Sequence, residues 1–387
     1  MMLFVVPSKY PNRFNNQANI FVHEQCVALQ KMGYKIIVLD AGAYNYKKWF
    51  TKEAWRFVKR DYEGIEIYSF NTKCILSTLF PHFYLFNYKR HIAKLFKLAK
   101  KEYGKPQCVY AHFSEPSGVA CIDFCKTERI PLIIAEHGGI YLERDLKNYD
   151  KRVLISSLKN ASAFLCVSDI QRKAISNYYP SSNIHVVNNM ISNLFAYHET
   201  VKKETFIFFS AGNLLPVKNF PLLISAFASA YKKNKNIRLR IAGEGPQYNQ
   251  LKDSIENNGL QGKIELIGRL TKKEMLSEYI NCDSFILLSQ HESFGIAFRE
   301  ALAVGRPVIS SNNGGILQGW NDGYGYIIND LSLSNVSNAM IDMVTNYFKF
   351  DLKKISSICL ANFSENNVIQ NISNILKKSV ESELNEK

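Results

Sequence analysis

Short apolar runs alternate with stretches of helical spacing along the whole chain, the pattern of parallel sheets covered by helices. In the first half, runs at 3–6, 35–39, 65–69, 107–110, 132–135, 163–167 and 185–187 predict strands. In the second half, runs at 205–210, 237–242, 263–267, 284–288, 307–310 and 325–328 do the same. Amphipathic stretches such as 17–32, 220–232 and 271–280 lie between them. The apolar pattern lapses over 192–204, which divides the α/β chain into two doubly wound, Rossmann-like domains, residues 1–195 and 196–364. A closing helix over 365–387, fraying at its polar tail, completes the prediction. A length of 387 residues agrees, because a single core seldom serves more than about 250–300 residues. Ligands of such sheets bind where strands end and helices begin, so a cleft faced by both domains is the expected active site.

Composition narrows the class. A hydrophobic share of 47% with 21% charged residues belongs to an ordinary globular chain and excludes extended disorder. No run of about 18 apolar residues occurs, and Met1 to Pro7 lacks the basic region and small-residue cleavage site of a secretion signal, so the chain is expected in the cytoplasm. The eight cysteines are scattered without any C-x-x-C and read as reduced core residues. Cys121 and Cys125 share a helix face, but nothing completes a zinc-like set, and no metal is expected.

Charge changes the picture more. Of the net +14, residues 1–195 hold 27 Lys and Arg against 15 Asp and Glu, and residues 196–387 hold 21 against 19. A basic first half points to an anionic partner, a membrane surface or a phosphorylated acceptor; no nucleic-acid recognition motif is present. The basic segments 44–60 and 88–105 are interleaved with aromatics, and the second has an apolar face at Ile92, Leu95, Ala99 and Tyr103. Two readings stay open for them: a core-packed helix with a solvated outer face, or peripheral docking on anionic membrane at the inner face of the plasma membrane.

The chemistry concentrates between Leu287 and Gly315, LLSQHESFGIAFREALAVGRPVISSNNGG. Leu287 and Leu288 end a strand, Glu292 falls in the loop, and a helix is expected to begin near Ser293 or Phe294. Glu300 then lies about two turns into the helix, at most about 12 Å from Glu292. Carboxylates so far apart do not share one reacting centre; they suit the two ends of an extended ligand. Backbone N–H groups at Phe294 and Gly295, flanked by Ser293 and Ile296, offer a helix N-terminus to phosphate. Gly314 and Gly315 form a second candidate backbone cradle.

That stretch closely resembles the signature of the family 4 glycosyltransferases: a loop Glu, Ser-Phe-Gly, a second Glu eight positions later, and Gly-Arg-Pro-Val-Ile leading into Gly-Gly. The resemblance implies a GT-B fold and a retaining, metal-independent transfer without cofactor. It assigns Glu292 to sugar hydroxyls and Glu300 to ribose hydroxyls of a nucleotide-sugar donor. Residues 210–219 resemble the family's first donor loop, with Gly212 and a matching Lys218 for the diphosphate; Asn213 stands where an Arg is usual, leaving Arg299 or Arg306 as cations that would compensate. Gly243 and Gly245 match the Gly-x-Gly-Pro turn beside the base, Gly268 and Arg269 are base-side contacts, and Gln318 replaces a frequent Glu. Residues 7–12, followed by Phe21, His23, Glu24 and Gln25, resemble the N-terminal loop and first helix of surface-polysaccharide transferases, without the usual glycines of that loop. His137, just past the run at 132–135, corresponds to a His at the donor sugar; together with Glu292 and Lys218 it forms the expected catalytic set. His112 reads as structural, and Ser168 with Asp169 as a helix cap.

The function implied is transfer of a sugar to a glycan or lipid-linked acceptor in surface polysaccharide or lipopolysaccharide synthesis. Two rivals are a GT-B nucleotide-sugar epimerase and a non-catalytic nucleotide-sugar-binding scaffold.

Overall fold

The computed structural model describes residues 1–12, 18–41, 57–70, 81–143, 145–200 and 203–385. It divides into two compact units, Met1–Asn188 with Val368–Lys387, and Asn189–Asn367.

The first unit carries strands β1 (Met2–Val6), β2 (Lys35–Asp40), β3 (Phe57–Tyr62), β4 (Ile65–Phe70), β5 (Cys108–His112), β6 (Leu132–Glu136), β7 (Ala163–Cys166) and β8 (Ile184–Val186). Its helices are α1 (Ile20–Lys31), α2 (Pro81–Tyr103), α3 (Val119–Glu128), α4 (Ile140–Glu143), α5 (Asn148–Asn160) and α6 (Asp169–Ser176). The strands lie in the order β3-β4-β2-β1-β5-β6-β7-β8, with β3 and β4 antiparallel and the pairs from β4 to β8 parallel. Leu3, Phe4, Val5 and Val6 are all fully buried, as in a sheet covered on both faces. Phe4, Leu39, Val109 and Ile134 pack with Ile92, Leu95, Phe96 and Ala99 of α2, so the predicted apolar face of that helix is its core face.

The second unit carries β9 (Phe206–Ala211), β10 (Ile237–Ala242), β11 (Ile264–Gly268), β12 (Ser284–Leu287), β13 (Val308–Ser311) and β14 (Gly325–Ile328). Around them lie α7 (Phe220–Lys233), α8 (Tyr248–Asn257), α9 (Lys272–Asn281), α10 (Ile296–Ala303), α11 (Leu333–Asn346) and α12 (Leu352–Phe363), followed by α13 (Glu365–Asn385). The order is β11-β10-β9-β12-β13-β14, all parallel. Phe208, Leu239, Phe285 and Ile309 of the strands are buried, as are Ile224 and Phe227 of α7, Phe298 of α10 and Met340 of α11, with the Phe285 and Phe298 rings edge to face at 5.3 Å. The α9 start is a capping box: Thr271 Oγ1 accepts from the Glu274 N–H at 3.3 Å, and Glu274 Oε2 accepts from the Thr271 N–H at 2.7 Å.

Three details differ from the sequence reading. The division falls at Asn188/Asn189 rather than 195/196. Most of α13 belongs to the first unit, where the Tyr34 and Ser373 hydroxyls lie 2.6 Å apart, and the helix runs on to Asn385 rather than fraying early. β3 was not predicted at all. The seven described cysteines are buried and free; Cys74 and most of the 44–60 segment lie outside the described residues. No described helix is long and apolar enough to cross a membrane.

Candidate functional site

In the second sheet the strand order reverses between β9 and β12, so the loops leaving these two strands open a crevice at their carboxyl ends. The loop after β9 makes a single tight turn over Pro216–Lys218, and Asn219, left-handed at φ 55°, leads into α7. This turn presents Lys218 to the loop after β12. Lys218 Nζ lies 2.5 Å from Glu292 Oε1, and the Ser289 hydroxyl donates to the same oxygen at 2.9 Å. Both side chains keep some exposure, 19% for Lys218 and 15% for Glu292, so the pair can still meet a ligand. The Gln290 N–H donates to the Val217 carbonyl at 2.8 Å and fixes the two loops to each other.

α10 begins at Ile296, later than its spacing predicts, because Gly295 is left-handed at φ 80°. Ser293, Phe294 and Gly295 form the turn ahead of the helix, and Glu300 sits just past the first helical turn. Its carboxylate is buried, and Oε2 accepts from the Tyr279 hydroxyl at 3.1 Å. Burial and the neighbouring Glu300 push the Tyr279 phenol well above its ordinary value, so it is a permanent donor here. The third loop closes from the side. The Glu292 N–H donates to the Asn313 carbonyl at 3.3 Å, and a Cβ at Gly315 would fall 2.5 Å from the Glu292 carbonyl oxygen and 2.9 Å from the Phe294 nitrogen. The bare Gly314-Gly315 turn therefore admits the Glu292 loop.

On the other flank the Gly212 N–H donates to Ala242 at 3.0 Å, Leu214 to Glu244 at 2.9 Å and Gly243 to Gly268 at 2.7 Å. Gly245 continues that turn, while Asn213 and Arg269 are exposed. The turns at Gly212–Asn213, Gly243–Gly245, Arg269, Glu292–Gly295 and Gly314–Gly315 thus all follow the carboxyl ends of strands of one sheet.

In the first unit, β5 and β6 run in register with His112 opposite Ala135, which sets His137 beside His112. His112 Nδ1 and His137 Nε2 are 3.1 Å apart, and the His137 ring packs against Phe21 and Phe113 at centroid distances of 4.7 and 5.3 Å. Burial, then the neighbouring His137, hold the His112 imidazole well below its ordinary value, so it stays neutral. The buried Glu136 carboxylate accepts from the Ser114 N–H, the Gly138 N–H and the Tyr141 hydroxyl, each at 2.9 Å, and locks the chain on either side of His137. Phe113 holds φ 74° and ψ 142°, a conformation that costs a bulky residue about 1–3 kcal/mol and clusters at functional loops. His23 is occupied within its own domain, 2.8 Å from the Tyr10 hydroxyl and 3.1 Å from Glu63. Ser168 caps α6, accepting from the Gln171 N–H at 3.3 Å.

Residues 18–192 match Glycosyltransferase Family 4, and residues 196–355 match Glycosyl transferases group 1. The chain belongs to the family 4 glycosyltransferases. An uncharacterized glycosyltransferase of Methanocaldococcus jannaschii is 23% identical over 69% of this chain and 74% of its own length. The alpha-monoglucosyldiacylglycerol synthase of Streptococcus pneumoniae is 26% identical over 40% of this chain, a match that spans only 38% of the synthase. In fold, the glycosyltransferase resembles Anabaena HepE in complex with UDP and glucose, with a TM-score of 0.75 at 16% identity over 98% of this chain and 100% of that chain. Its two Rossmann-like domains are those of the GT-B class.

Two expectations for this glycosyltransferase need correction. Arg306 is fully buried and donates to the carbonyls of Tyr279 at 2.9 Å, His198 at 3.0 Å and Ile280 at 3.1 Å. Arg299 is 1% exposed and donates to the carbonyls of Phe294, Gly295, Gly315 and Gln318. Neither guanidinium is free to neutralise a phosphate in place of the missing loop Arg. His112, read as structural, is fully buried and is the immediate partner of His137. The signal was its position one residue past Ala111 at a strand end, level with the His137 loop.

Proposed function

We propose that this glycosyltransferase moves a sugar from a nucleoside diphosphate sugar to a glycan or lipid-linked acceptor of the cell surface, with retention of configuration and without a metal ion. The observation that carries the reading is the convergence of Lys218, Glu292 and the Phe294–Gly295 turn at the strand-order reversal of the second sheet. A diphosphate fits beside the Lys218 ammonium and the N–H groups ahead of α10, where positive charge converges. Ribose hydroxyls are assigned to Glu300, sugar hydroxyls to Glu292, the base to the turns at Gly243, Gly245 and Arg269, and the diphosphate also to the loop at Gly212 and Asn213. Gly314 and Gly315 hold the Glu292 loop in place. His137, with the neutral His112 fixing its ring, serves the transferred sugar.

In this mechanism the bond from the anomeric carbon to the diphosphate oxygen breaks, and the acceptor oxygen bonds to that carbon on the same face. The acceptor proton passes to the departing phosphate oxygen, so no protein nucleophile is required; the chain orients the reactants and stabilises the leaving charge. An α-linked donor should therefore give an α-linked product in the anomeric proton NMR spectrum. A β-linked product would remove the retaining mechanism.

We assign the anionic partner to a membrane on the support of the outer face of α2. Phe83 is 45% exposed and Phe86 63%, and Arg90, Lys94, Lys97 and Lys101 are exposed beyond them. At 100° per residue these six fall within a stripe about 80° wide and about 27 Å long. The neighbouring Glu102 is paired with Lys59 at 2.5 Å. Two aromatics followed by four cations suit an anionic lipid surface, at roughly 1 kcal/mol per cation. Vesicles rich in phosphatidylglycerol should float the protein at low salt and release it at high salt, and reversing Lys94 and Lys97 to Glu should abolish the flotation. Absence of binding by the unmodified protein at low salt would remove this assignment.

A further inference from the structure

Arg299 is the largest fully buried side chain of α10, whose other buried residues, Glu300 apart, are apolar. Among the described residues its guanidinium bonds no carboxylate; it holds backbone oxygens from two separate loops. One nitrogen takes the Phe294 carbonyl and, at 3.3 Å, that of Gly295; the other takes Gly315 at 3.0 Å and Gln318 at 2.6 Å. The planar group lies against two rings, 4.0 Å from the Phe294 centroid and 4.9 Å from that of Phe363, which meet each other edge to face at 5.4 Å. Burial lowers it to about 10, which leaves it charged at neutral pH.

Peptide geometry turns this clamp outward. In a trans peptide the carbonyl and the following N–H point in opposite directions. With the Phe294 and Gly295 carbonyls drawn in to Arg299, the N–H groups of Gly295 and Ile296 are driven the other way. These belong to the start of α10, where N–H groups have no partner within the helix. A fixed buried cation behind the same peptides adds to the positive potential on their outer side.

We infer that Arg299 is the positioning residue of the phosphate cradle, resting on the donor reading above: it sets the two peptides before α10 with their N–H groups toward the diphosphate and ties them to the Gly315 loop. It touches no substrate atom. A Lys there keeps the charge but cannot span four carbonyls with one ammonium, and a Met keeps only the volume.

The test compares UDP, GDP and ADP, each beside its own nucleoside, by ligand-observed NMR on the full chain, unmodified and as R299M and R299K. The nucleoside reports the base and ribose contacts, and the diphosphate adds the cradle. The expected result is a loss of about ten- to a hundredfold in diphosphate affinity for R299M, and a smaller loss for R299K, with nucleoside affinity held. Equal losses for diphosphate and nucleoside, or none for either, would overturn the clamp while leaving the donor site standing. If R299M fails to fold, as judged by its melting curve, R299K carries the same comparison with the same two outcomes. An unmodified protein that binds none of the three diphosphates would overturn both the clamp and the donor reading.

Discussion

Lys218→Ala lowers kcat/KM for sugar transfer by about a hundred- to a thousandfold, the loss typical of removing one group that stabilises developing negative charge. The size follows from what surrounds it. Asn213 is neutral, and Arg299 and Arg306 are turned inward onto carbonyls. On the proposed donor reading, Lys218 is thus the cation among the described residues of this crevice that would face the leaving diphosphate. Its removal also leaves Glu292 without its 2.5 Å partner, so the effect must be separated from a displaced loop. Lys218→Arg supplies that control, since it keeps the charge and should recover most of the rate. The double change with Glu292→Gln shows how much of the loss belongs to the unpaired carboxylate. A Lys218→Ala enzyme within threefold of the unmodified rate would refute the role given to it.

Glu300→Ala raises the KM for the donor by about ten- to a hundredfold with little change in kcat, as expected for hydrogen bonds to a charged group made equally in ground and transition states. The buried carboxylate is held by the Tyr279 hydroxyl at 3.1 Å, and that hydroxyl keeps the Ala297 carbonyl at 3.0 Å when Glu300 is gone, so the helix has little reason to move. The effect should vanish for a donor lacking both ribose hydroxyls, because the interaction removed is then already absent. A loss of the same size for the deoxy donor would assign Glu300 a purely structural place under α10.

Much of this was legible because strands buried on both faces announce themselves as unbroken apolar runs, and every run predicted as a strand is one. β3 escaped because it is an antiparallel edge strand, Phe57–Tyr62, whose centre is Val-Lys-Arg-Asp, and charge on an edge reads as a loop. Spacing places the start of α10 too early because a left-handed Gly295 cannot be told from a helical one in sequence. The two arginines differ from their sequence reading for another reason. A guanidinium set among mostly apolar residues looks like a spare cation in sequence, whereas only the fold reveals how many carbonyls converge on it. The His112–His137 pair lies 25 positions apart in sequence and depends on strand register, which the runs alone do not fix. What the sequence held most firmly was the order of elements around Glu292 and Glu300, where spacing and local structure agree.

The most direct test is the melting temperature of the purified protein with UDP-, GDP-, ADP- and CMP-sugars, with and without EDTA, alongside Glu300→Ala, since a ligand of the folded state raises it by mass action. The account predicts a clear rise with one nucleotide sugar, unaffected by EDTA and lost in Glu300→Ala; no rise with any of them, or one that EDTA removes, would contradict it.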